Sequence, residues 1–381
     1  MKIGILTQPL HRNYGGLLQA WALQQVLIAM NCTPELIFRN YDAPPLTLRR
    51  LLWNCISFGK RILKRLILRK YVCINNPFHR RYSGLPRFAD KKFVDKIHKS
   101  KELFLDTELR GFIEKSDYEG FIVGSDQVWR EGYSPRIETY FLDFLKNSDK
   151  RKKIAYAASF GKKVDYISYD RMSECRNLLK RFDAVSVREI SGVDIVKSDF
   201  GREDVVHVLD PTLLIDSKMY IKLINTKDRF HRQMISYILD ENDEKLRVIE
   251  EISSFRRLRV EKFSTGENQD SDEDKRMLTI SQWIASFSDS KFVFTDSFHG
   301  MVFSIIFNKD FVVYANKERG IDRFTSLLGD LNLMNRMIYS WEDFESRIDE
   351  VMKPIDYISV NDKLDKLRNK SIDWLKNALN S

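Results

Sequence analysis

The residues best suited to chemistry sit in one short corner, Asp296-Ser297-Phe298-His299-Gly300, inside the stretch KFVFTDSFHGMVFSIIF (291–307). The apolar run before the corner, Phe292–Thr295, is short and rich in Val and Phe, as a covered parallel strand is. A helix is predicted to run on from Met301, and either Asp296 or Ser297 can cap it. Gly300 would let a ligand approach the backbone closely. The free N–H groups and the dipole of a helix start both attract anions. His299 stands where such an anion would bind, and an imidazole can carry a proton near neutral pH. The same position also suits a histidine hydrogen-bonded in the core of a capped helix.

Other strand ends carry further candidates. KIGILTQ (2–8) reads as a strand, and the Asn13-Tyr14-Gly15-Gly16 loop leads into a helix, LLQAWALQQVLIAM. This loop is not G-x-G-x-x-G, so it carries no dinucleotide fingerprint. Its glycines either bring N–H groups to a phosphate or sugar hydroxyl, or make a tight turn. Gly120–Val123 reads as a strand followed by Gly124-Ser125-Asp126-Gln127. Asp126 is a candidate base or hydroxyl acceptor, or else a helix cap. Arg188 follows the strand Ala184–Val187, and its fork matches a carboxylate or phosphate; an ion pair with Glu189 or another carboxylate is the alternative. Lys317, Arg319 and Arg323 follow the strand Phe311–Tyr314, either as ligand cations or as solvated surface.

The elements that must position these groups alternate as strand, loop and helix, which is the pattern of doubly wound α/β domains. The chain has 381 residues, enough for two such domains. We expect an N-terminal α/β domain over 1–215, with a basic helical insert at about 47–101, and a C-terminal α/β domain over 232–355. A C-terminal helix at 360–381 is expected to pack back on the first domain. Loops from both halves then face a cleft, where ligands favour binding. Their cations, histidine, aspartate and amides suit a small phosphorylated substrate beside a polyol.

The net charge of +9 implies anionic partners. The basic stretch GKRILKRLILRK (59–70) reads either as an interfacial helix on an anionic membrane or as a solvated basic face. No nucleic-acid motif occurs. Cys32, Cys55, Cys73 and Cys175 form no C-x-x-C pair, so neither a metal nor a redox site is signalled. The N-terminal apolar run is too short for a secretory signal, and no stretch is long enough to span a bilayer. A cytoplasmic protein is expected, with peripheral contact at the inner membrane face under the interfacial reading.

Taken in order, NYGGLLQAWALQ (13–24), FIVGSDQVW (121–129), YAASFG (156–161), AVSVRE (184–189), VLDPTLL (208–214), TDSFHGMVFSIIF (295–307) and RFTSLL (323–328) resemble the polysaccharide pyruvyl transferase family. The resemblance runs from about residue 1 to 340. It implies two Rossmann-like domains in a GT-B-like arrangement. It also implies transfer of pyruvate from phosphoenolpyruvate to a sugar or lipid-linked oligosaccharide, as a ketal, with phosphate released and no cofactor. The family's histidine falls on His299 and its Val-Arg-Glu arginine on Arg188. Some members carry an arginine two places before the histidine, where this chain has Ser297. On this basis His299 and Asp126 are the catalytic candidates. The substrate-binding candidates are Asn13, Tyr14, Gly15, Gly16, Ser125, Arg188, Ser297, Phe298, Gly300, Lys317, Arg319 and Arg323. The rival readings are a GT-B-type nucleotide-sugar glycosyltransferase and a non-catalytic glycan- or phosphate-binding protein.

Overall fold

Short runs of Val, Ile and Phe between turns form two all-parallel sheets. The computed structural model describes residues 1–11, 13–43, 47–67, 90–264, 278–315 and 320–381. The first sheet contains β1 (Lys2–Leu6), β2 (Thr33–Leu36), β3 (Gly120–Val123), β4 (Lys152–Ala158), β5 (Ala184–Val187) and β6 (Val205–His207). Its order is β2-β1-β3-β4-β5-β6. The second contains β7 (Met234–Ile238), β8 (Val260–Ser264), β9 (Phe292–Thr295), β10 (Asp310–Tyr314) and β11 (Met337–Ile338), in the order β11-β10-β9-β7-β8. All four residues of β3 and all four of β9 are buried. Helices cover both faces of such strands, which is why their sequences do not alternate polar with apolar.

In the first sheet the chain passes outward from β1 to β2, then returns to β3 on the other side of β1. The second sheet repeats this between β7 and β9. Connections diverge at these two places and leave a crevice at the carboxyl ends of the strands. The loops after β1 and β3 carry Asn13 and Ser125–Gln127, and the loop after β9 carries Ser297.

One apolar core runs through both halves and includes Ile5, Tyr14, Trp283, Phe303 and Leu375. Tyr14 stacks on Trp283 with ring centroids 5.5 Å apart, and its hydroxyl donates to the Leu278 carbonyl at 2.9 Å. The tail helix (Tyr357–Asn380) bridges the halves. Tyr357 donates to the Ser304 carbonyl at 3.4 Å, whereas Ser371 Oγ accepts the Leu209 N–H at 3.1 Å.

Two helix starts differ from the sequence reading. α1 (Tyr14–Ala29) begins at Tyr14, because Asn13 caps it by accepting the Gly16 N–H. Gly15 and Gly16 therefore belong to the first helical turn rather than to a loop. The helix after β9 begins at Phe298 (Phe298–Ile306), with Ser297 as its cap, so His299 and Gly300 also lie in a first turn. The basic stretch belongs to a longer helix, α2 (Leu48–Ile67). Residues 68–70 lie outside the described residues, as do Lys317 and Arg319.

Candidate active site

Arg188 leaves the end of β5 and is buried between two carboxylates. Its Nη1 donates to Asp210 Oδ2 at 2.6 Å, and its Nη2 to Asp126 Oδ1 at 3.3 Å. Asp210, just past β6, also accepts from Ser125 Oγ at 3.1 Å, from Thr212 N at 3.0 Å and from Thr212 Oγ1 at 2.6 Å. Asp126 accepts the Gln127 N–H at 2.9 Å and faces Asn13 Nδ2 at 3.4 Å. Glu189 is not the partner of Arg188; its Oε1 accepts the Phe160 and Gly161 N–H groups.

His299 enters this network from the second half. Its Nε2 lies 3.8 Å from Asp210 Oδ2. Its ring rests on the backbone of Gly15, where an added Cβ would stand 1.9 Å from Nδ1. Two helix N-termini, those of α1 and of the helix Phe298–Ile306, thus meet at the histidine. Both turn the positive ends of their dipoles toward it.

The buried charges are held ionised. Burial alone would raise the Asp210 pKa, but His299, Arg188 and Thr212 outweigh it and hold the carboxyl well below the usual range. Asp126 is treated similarly: burial opposes ionisation, and Arg188, His299 and Arg323 overcome it. Arg323 starts the helix Asp322–Asp330. Burial and the nearby Arg188 charge lower its pKa to about 10. Both cations lie against the Phe298 ring, with guanidinium carbons 4.8 Å (Arg188) and 5.4 Å (Arg323) from its centroid. Its π-system attracts both, and the Asp126 and Glu189 carboxylates also favour the charged form of Arg323.

The structure thus joins Asn13, Gly15, Ser125, Asp126, Arg188, Phe298, His299 and Arg323 around Asp210. Of the other described candidates, Tyr14, Gly16, Ser297 and Gly300 have contacts of their own. Tyr14 packs between the two halves. Gly16 serves as the partner of the Asn13 cap, and Ser297 Oγ accepts the Gly300 N–H at 3.3 Å. Packing requires a glycine at 300, since a Cβ there would lie 2.3 Å from Thr295 Oγ1. Asp296, the other proposed cap, instead accepts the Leu239 N–H and a Lys245 Nζ donor at 2.7 and 2.8 Å. Asp210 was missed in the sequence reading, although it follows a strand end just as Arg188 does. Among the described residues no cluster of His, Cys, Asp or Glu is placed to hold a metal ion.

The family model for polysaccharide pyruvyl transferase matches residues 13–318. The chain belongs to this family. It is therefore a transferase of polysaccharide biosynthesis, and the site just described lies within the matched span, apart from Arg323. Among solved structures, UDP-N-acetylglucosamine 2-epimerase from Rickettsia bellii is similar, with a TM-score of 0.54, 9% identity, and 98% of this chain and 96% of that one covered. UDP-GlcNAc 2-epimerase from Neisseria meningitidis, bound to UDP-GlcNAc, gives a TM-score of 0.51, 9% identity, and 97% and 99% coverage. These likenesses show the fold, two Rossmann-like domains in the GT-B arrangement. No curated protein matches the sequence.

Proposed function

We propose that this family member transfers the pyruvyl group of phosphoenolpyruvate to two hydroxyls of a sugar, forming a cyclic ketal and releasing phosphate. The observation that carries this reading is His299, set at the meeting of two helix N-termini with Asp210 3.8 Å behind its Nε2. The helix starts there attract the carboxylate and phosphate of the donor, which brings the donor up to the imidazole.

In this scheme the His299 imidazolium gives a proton to C3 of phosphoenolpyruvate, leaving C2 electrophilic. The first sugar hydroxyl forms a C–O bond to C2, and its proton passes to the now neutral imidazole, which restores the acid. The second hydroxyl then displaces phosphate. The C2–O bond to phosphorus-bound oxygen breaks, and the hydroxyl proton leaves with the phosphate. Asp126 was the candidate base. Its lowered pKa makes it a weak proton acceptor, so we assign it to holding Arg188 and a sugar hydroxyl. Arg188 is locked by two carboxylates and orients the site more than it neutralises the donor. Arg323, with Lys317 and Arg319, is proposed to supply that charge. The scheme calls on no cofactor. We place it on the cytoplasmic side, acting on a lipid-linked or soluble acceptor.

His299→Gln keeps the ring's volume and polarity in part but cannot deliver the proton. Positioned acid catalysis is worth roughly 10²–10⁴-fold, and a loss of phosphate release in that range is expected with the fold intact. Full turnover by the variant would remove the role. The epimerase-like architecture also fits a nucleotide sugar at the same helix start. Thermal stabilisation by a nucleotide sugar and none by phosphoenolpyruvate would favour that reading.

A further inference from the structure

After β2 the chain leaves the carboxyl end of the first sheet, the end that holds the site, and enters α2. The twenty residues LRRLLWNCISFGKRILKRLI include six Lys or Arg and no Asp or Glu. At 100° per residue, Leu48, Leu52, Ile56, Leu63, Leu66 and Ile67 share roughly 100° of the circumference. Each of the six is 54–77% exposed. Arg49, Lys60, Arg50 and Arg61 follow on the adjoining arc. Leu51, Phe58 and Ile62, on the other flank, are half-buried, so the helix is seated along one side only.

A solvated basic face accounts for the cations but not for six large apolar residues in water beside them. Soluble surfaces seldom carry so continuous an apolar stripe without a partner. The partner must be apolar at the stripe and anionic along its edge. We propose that α2 lies in the headgroup layer of an anionic bilayer. Its leucines enter the acyl boundary, and the exposed Arg49 and Lys60 meet lipid phosphates. The helix lies along the surface and does not cross it, since six cations in twenty residues make spanning costly. No described helix is long and apolar enough to cross a membrane. The docking does not depend on the reaction proposed above. If both hold, the strand ends bearing Asp210 and His299 are held near lipid-linked sugars.

The test is co-sedimentation of the full chain with vesicles of phosphatidylcholine alone and of phosphatidylcholine mixed with phosphatidylglycerol, with no substrate present. Binding to the anionic vesicles is expected, falling as salt screens the charges. Replacing the exposed Arg49 and Lys60 by Gln should weaken it about fivefold per cation. Leu63→Glu with Leu66→Glu should abolish it at an unchanged thermal midpoint. If that midpoint falls, the Gln variant decides the matter. Equal binding to both vesicle types, or none, would overturn the proposal. So would a dimer in sedimentation velocity that Leu63→Glu and Leu66→Glu dissolve, because a second copy would then own the face.

Discussion

At the scale of single residues the site is a charge arrangement more than an anion pocket. The sequence showed Arg188 and His299 because a strand end and a helix start are recognisable places for ligand groups. It hid Asp210, because a search for an anionic ligand looks for cations. A buried guanidinium, however, cannot be stable without carboxylates beside it. Asp210→Asn leaves Arg188 with Asp126 alone. Breaking one partner of a buried pair costs about 3–5 kcal/mol, so a clear fall in thermal midpoint is expected along with lost transfer. The pH dependence has a definite sign. Asp210 and Asp126 have lowered pKa values in the fold. Their contribution is complete above the ordinary carboxylate range, about pH 4, and drains away as pH falls through the depressed values. An acid titration of stability should therefore be steeper for the native chain than for Asp210→Asn. Parallel curves would mean that Asp210 is not held ionised by its neighbours.

At the scale of elements, two helix starts position the chemistry, and each was misread by a few residues for the same reason. A cap residue ends the loop earlier than glycine content suggests, so Asn13 pulls Gly15 and Gly16 into α1. Tyr14 then faces the second half, where it stacks on Trp283. Gly15 gains its importance only from the tertiary structure, where His299 occupies the space of its missing side chain. Gly15→Ala should displace the imidazole and lower phosphate release severalfold to a hundredfold, as misplacement by about 1 Å does. Gly111→Ala is the control. It lies in the helix Asp106–Glu114, with nothing within 4 Å of an added Cβ, and should keep activity. It should also gain up to about 1 kcal/mol of stability. Equal activity of the two variants would show that His299 does not rest on Gly15 during turnover.

At the scale of the whole molecule, the alternation of strands and helices made both sheets legible, since each buried strand is a short apolar run closed by turn residues. The way the halves join was not legible, because the contact between Tyr14 and Trp283 spans most of the chain. A shared apolar core predicts one cooperative unfolding transition in calorimetry. Tyr14→Ala removes a buried aromatic ring at that junction. It should cost about 3–5 kcal/mol, the range for large aromatic truncations, and split the transition into two. A single unshifted transition would show that the halves do not depend on this contact. Phosphate release shows whether phosphoenolpyruvate is the donor. Phosphate released from phosphoenolpyruvate is followed across a panel of glycan and lipid-linked acceptors, for the native chain and for His299→Gln. Acceptor-dependent release by the native chain and a loss of roughly 10²–10⁴-fold in the variant are expected. Release that the variant matches, or no release with any acceptor while a nucleotide sugar is consumed, would contradict the proposed transfer.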